Sequence, residues 1–77
     1  MTEEVGRRRL SGLVAAIVRE KNYGFISPDD PNTPELFFHA SAYDGDFSQL
    51  RPGDPVTYIQ TATAKGARAV AVVRQTP

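Results

Sequence analysis

The chain has 77 residues, nine basic and nine acidic side chains that cancel, 40% hydrophobic residues and 23% charged ones. A single domain of this length hides only about 60–65% of the surface of its unfolded chain, so it can fill one layer of core but not a second sheet or covering helices. The composition excludes a disordered chain, the lack of cysteine excludes disulfides and thiolate metal sites, and no apolar run nears the roughly 18 residues that span a membrane.

The cancelled charge is segregated. Residues 1–26 carry five basic side chains against three acidic ones, residues 27–54 carry six acids against Arg51 alone, and residues 55–77 carry Lys65, Arg68 and Arg74 with no acid. A neutral total of this kind is compatible with one basic and one acidic side. A soluble, cytoplasmic protein is the expectation, with no membrane contact.

Residues 1–9 read as a flexible basic tail: polar, with Gly6 and the triplet Arg7-Arg8-Arg9, available to phosphates or simply solvated. The domain is expected to run from residue 10 to 76. Leu10 to Val18 is the first predicted strand. Its alanines leave a helix open over Leu13–Val18, but Val14, Ile17 and Val18 are β-branched and no cap precedes them. Tyr23 to Ser27 is the second strand. Pro28-Asp29-Asp30-Pro31-Asn32-Thr33-Pro34 is a loop, since proline cannot donate to a ladder. Glu35 to Ala40 is the third strand. Residues 41–54 have no regular period and end in Arg51-Pro52-Gly53-Asp54, which has the central Pro-Gly of a type II turn. Val56 to Thr61 and Ala67 to Gln75 form the last two strands, joined by a hairpin loop at Ala64-Lys65-Gly66. Five short strands with no helix predict an all-β fold, best closed as a five-stranded antiparallel barrel because closure removes unpaired edges.

Alternation along a strand puts Gly24 and Ile26 on one face of the second strand and Tyr23 and Phe25 on the other. In the third strand Leu36 and Phe38 oppose Phe37 and His39. So short a chain can cover one of these apolar faces but not both. Tyr23, Phe25, Phe37 and His39 are expected outside, side by side. Aromatics in strands more often fill a core; on an uncovered pair of strands they make a platform on which single-stranded nucleic acid stacks its bases.

Lys21-Asn22-Tyr23-Gly24-Phe25-Ile26 resembles the Lys-Gly-Phe-Gly-Phe-Ile motif of cold-shock domains, and Leu36-Phe37-Phe38-His39 resembles their Val-Phe-Val-His motif. Order, spacing and the start at Gly12-Leu13-Val14 agree, so the likeness spans roughly residues 10–75. Ser41–Gly45 and Leu50–Val56 are further similar to the repeated cold-shock domains of the eukaryotic RNA-binding protein upstream of N-ras. The resemblance implies an OB-type barrel binding single-stranded RNA, or DNA, in RNA chaperoning or post-transcriptional and translational regulation. It implies that Tyr23, Phe25 and Phe37 stack bases and that His39 stacks or bonds to a base edge. Lys21 and Lys65 would lie near phosphates, and Phe47 falls near a further family aromatic.

The chain departs from the family at three positions. Bacterial members carry tryptophan where Ala16 stands and an aromatic where Ala40 stands, and Asn22 replaces the first glycine of the first motif. The implied platform is narrower, with Arg19 and Tyr43 as candidates to replace the lost contacts. The same departures, with zero net charge, motivate an alternative in which the aromatic face binds other proteins or neighbouring domains of a longer chain. His39 has no second histidine or cysteine to share a metal, and Asp29-Asp30 and Asp44-Gly45-Asp46 read as solvated loop acids. No nucleophile–base pair or phosphate-cradling loop is present, so a non-enzymatic module without cofactor or metal is expected.

Overall fold

The computed structural model describes residues 9–75. Five strands, β1 (Leu10–Val18), β2 (Tyr23–Pro28), β3 (Leu36–His39), β4 (Pro55–Thr63) and β5 (Gly66–Arg74), close into a barrel in the order β1-β2-β3-β5-β4. The first strand has its expected bounds, and the others differ from expectation by one or two residues at an end. Residues 13–18 are strand, not helix. Three single 3₁₀ turns, at Arg19–Lys21, Ala40–Ala42 and Phe47–Gln49, fill the connections.

The barrel is not wholly antiparallel as the sequence suggested. β3 and β5 run parallel, with Phe37 beside Arg68. Closure itself requires this. Strand directions cannot alternate all the way round a ring of five, so one neighbouring pair must share a direction.

The interior is filled by Val14, Ile26, Leu36, Phe38, Leu50, Val56, Tyr58, Ala69 and Val72, each at most 2% exposed. The alternation expected for β2 and β3 holds: Gly24, Ile26, Leu36 and Phe38 are buried. In β1 the alternation breaks. Val14 pairs with Ile26 but Ala16 pairs with Phe25, so Ala15 is an extra residue and the side chains beyond it change face. Ile17 then packs on the core while Ala16 lies exposed.

Two glycines allow β1 and β2 to curl together. A Cβ at Gly24 would lie 2.7 Å from the Ala16 carbonyl oxygen, and one at Gly12 would lie 2.6 Å from that of Ser27. The Arg51–Asp54 turn closes as expected: Asp54 N–H donates to the Arg51 carbonyl at 3.1 Å, and Gly53 has φ +94°. Its backbone also docks on β1, through Val14 N–H to the Asp54 carbonyl and Gly53 N–H to the Val14 carbonyl.

Arg7 and Arg8, like residue 76 at the far end of the expected domain, lie outside the described residues. Arg9, assigned by sequence to the tail, is not free: its guanidinium donates to Thr57 Oγ1 and to the Ala71 carbonyl. Ala71 has φ +51° at an irregularity in β5, which turns its carbonyl toward this donor's reach. No helix among the described residues is long and apolar enough to cross a membrane.

Candidate nucleic-acid interface

The β2–β3 register brings four groups together on the outer face. Tyr23 lies opposite His39 and Phe25 opposite Phe37. The three rings touch: centroids are 5.3 Å apart for Tyr23–Phe37, 5.8 Å for Tyr23–Phe25 and 6.1 Å for Phe25–Phe37. Two of the three pairs meet edge to face, the arrangement the ring quadrupole favours. Each ring is half-buried because its neighbours shield it, and the cluster remains open to solvent on its outer side.

The 3₁₀ turn that leads into β2 sets one edge of this cluster. Asn22 closes it in the left-handed region, with φ +61° and ψ +43°, and its carbonyl accepts from Ala40 N–H at 2.8 Å. Asparagine is among the few side chains that enter this region readily, which explains why it can stand where the related motif has glycine. Lys21, one residue before it, is exposed. His39 is fixed from the other side: its Nδ1 accepts from Ser41 N–H at 3.0 Å. The neutral ring therefore carries its proton on Nε2, which is left to donate.

Lys65 sits at the tip of the β4–β5 hairpin. Thr63 pairs with Gly66 there, so the loop is Ala64–Lys65, with Gly66 at φ +119° and Thr63 Oγ1 accepting from Lys65 N–H. A concavity of about 360 Å³ lies between this tip and Phe37. Arg68 also lines it, with the guanidinium carbon 5.9 Å from the Phe37 centroid and over the ring.

Arg19 and Phe47 stand apart from that group. Arg19 donates from Nη1 to the Phe47 carbonyl at 3.1 Å and from Nη2 to the Leu50 carbonyl at 2.6 Å, tying the 47–50 segment to the end of β1. Phe47 packs edge-on against buried Phe38 at 6.1 Å and leans on the core. Tyr43 does the same, with its backbone bridged to Val72 and burial raising its hydroxyl pKa. Neither Arg19 nor Tyr43 replaces the ring missing at Ala16, which lies exposed directly opposite Phe25. Arg68, which no local pattern in the sequence singles out, does adjoin the platform. The parallel β3–β5 pairing that brings it beside Phe37 has no short-range signal in the sequence.

Comparison with known proteins gives the family and the fold. The family model described as the 'Cold-shock' DNA-binding domain matches residues 10–75. The chain belongs to the cold-shock domain family. It is 38% identical over 64 residues to the Major cold shock protein of Micrococcus luteus, covering 82% of this chain and 94% of that protein. To the Cold shock-like protein CspB of Escherichia coli it is 36% identical over 66 residues, covering 84% of this chain and 92% of that one. Among solved structures, drosophila Unr CSD456 superposes with a TM-score of 0.78 at 18% identity, over 99% of this chain and 30% of that one. The cold-shock domain described here carries its ring-bearing side chains on the paired β2 and β3 and has alanine at positions 16 and 40.

Proposed function

We propose that this cold-shock domain binds single-stranded nucleic acid, RNA in preference to DNA, by stacking bases on Tyr23, Phe25 and Phe37. His39 donates from Nε2 to a base edge, and Lys21 and Lys65 flank the strand near its phosphates. The observation that carries this reading is the cluster of three mutually touching, partly exposed rings on an outer sheet face. Stacking on such a face contributes about 1–3 kcal/mol per base and tolerates any base, because every base has a π-face.

The action is holding, not reaction. Bases splayed on the rings are withheld from pairing with each other, which is the physical content of an RNA chaperone or a translational regulator. Arg19 and Phe47 act one step away, by fixing the 47–50 segment against the barrel. With Lys21 and Lys65 as the phosphate contacts, log K falls with log salt at a slope of about −1.4, or about −0.7 for each phosphate neutralised. Affinity of the isolated domain is expected at about micromolar or weaker, since two stacking positions of the bacterial pattern are alanine.

Titration of a labelled uridine hexamer against the wild type and Phe25→Ala tests the reading. Tenfold or greater weakening in the variant supports it; no detectable binding, or equal binding by both proteins, sinks it. The exposed alanine beside Phe25 also favours a second reading, in which the rings meet a protein. RNA that leaves the β2 and β3 amide resonances unmoved would turn the conclusion to that reading.

A further inference from the structure

Arg68 is the one side chain at the platform that is charged, partly enclosed and incompletely bonded. Its Nε is sealed from solvent and has no hydrogen-bond partner among the described residues. It forms no ion pair with a described carboxylate; Asp54 pairs instead with Arg74, at 3.7 Å. A buried donor without an acceptor is unfavourable, and more so on a cation. The guanidinium lies over the Phe37 ring, at 5.9 Å and near the limit of a cation–π contact. It therefore covers part of the surface a base would stack on.

We propose that Arg68 is a base-reading residue: when a strand binds, its guanidinium moves off Phe37 and pairs edge-on with a guanine at the Phe37 position. This rests on the stacking reading above. The chemistry that satisfies Nε is a planar ligand with two adjacent in-plane acceptors, matched to two neighbouring N–H groups of the fork. Among the bases, guanine presents that pair at O6 and N7. The about 360 Å³ concavity between Phe37, Arg68 and the hairpin tip gives such a ring room to lie flat while facing Arg68. A phosphate would satisfy the same fork, but the exposed Lys65 in the lining of this concavity is better suited to a hydrated anion than the partly enclosed Arg68. One residue thus converts a face that tolerates any base into one with a preference at a single position.

The test is a set of uridine hexamers, each with one guanosine, adenosine or 7-deazaguanosine at successive positions, titrated against wild type, Arg68→Gln and Arg68→Lys. The wild type is expected to bind one guanosine-bearing strand about 5- to 150-fold more tightly than the all-uridine strand, the range of a good bidentate contact. 7-Deazaguanosine, which lacks N7, should lose that gain. Both variants should lose the guanosine preference, Arg68→Lys included because it keeps the charge and lacks the fork. The salt slope should stay the same in Arg68→Lys. Amide spectra of the free variants verify that the barrel is intact. Uniform weakening of every strand by Arg68→Gln, with a slope smaller by about 0.7, would reassign Arg68 to phosphate and overturn the proposal. Uridine binding that depends on Phe25 but shows no guanosine preference would overturn it too, leaving the stacking platform standing. No binding to any strand would remove both.

Discussion

Tyr23 and Tyr58 are both mid-chain tyrosines in strands of the same barrel, and they meet opposite fates. Tyr58 points in and is 1% exposed, and its hydroxyl end borders a concavity of about 240 Å³ rimmed by Asp29, Asp30 and Thr33. Tyr23 points out and shares its surface with Phe25, Phe37 and His39. The two sites lie at opposite ends of the β1–β2 pair, one where Gly12 meets Pro28 and the other where Val18 meets Tyr23. The acidic loop follows the Pro28 end of β2, whereas Lys21 precedes its Tyr23 end and Lys65 and Arg68 line a concavity with Phe37. Zero net charge therefore says little about nucleic-acid binding in this chain. What matters is which mouth of the barrel each charge reaches.

The strongest way to break the contrast is to exchange inside and outside within one strand. Phe38→Ala should cost about 3–5 kcal/mol of stability, enough to leave so small a domain marginal. Phe37→Ala, one residue away, should weaken strand binding and change the denaturant midpoint far less. Equal destabilisation by both would mean the outer rings serve as core.

Next in size, Ala16→Trp should sharpen the contrast. The exposed Cβ opposite Phe25 accepts a ring without touching the interior, and binding of a uridine strand should tighten by about 1–3 kcal/mol. An unchanged dissociation constant would show that the strand does not pass over β1. Gly24→Ala acts on the wall between the two faces. Its new Cβ would press on the Ala16 carbonyl at 2.7 Å, a backbone atom that cannot swing aside, for about 1–3 kcal/mol of stability by chemical unfolding. Binding per folded molecule should fall as well, because the β1–β2 spacing opens.

The smallest expected effect is confined to alkaline solution. Burial, then the negative charges of Asp29 and Asp30, raise the Tyr58 pKa above its ordinary value of 10.0. The unfolded chain loses this proton first, so the stabilisation is complete below pH 10 and is lost as pH rises through the higher folded value. Tyr58→Phe should therefore shift the alkaline unfolding midpoint upward, read by circular dichroism; a downward shift would show that the hydroxyl is needed where it lies.

Much of this was legible from local pattern. The period-two alternation in Tyr23–Ile26 and Leu36–His39 assigned inside and outside correctly, since a register error of one residue would bury His39 and expose Phe38. The Pro52-Gly53 turn and the Lys65 hairpin followed from residues that accept special φ values. Other features were not legible. Arg19 and Tyr43 looked free to join the platform, yet Arg19 is bound to two carbonyls and Tyr43 leans on the core. Phe47 is aromatic like the others, yet its ring goes to Phe38.

The sequence by itself determined the five strands, the faces of β2 and β3, and the family, because each depends on neighbours a few residues apart or on motifs in order. Only the tertiary structure decided that Ala15 bulges and turns Ala16 outward. Only closure of the ring made β3 and β5 parallel and set Arg68 over Phe37. The bulge is a mismatch between two paired strands, and the parallel pair joins Phe37 to Arg68 across about 30 residues; closing a barrel fixes such geometry and no local preference records it.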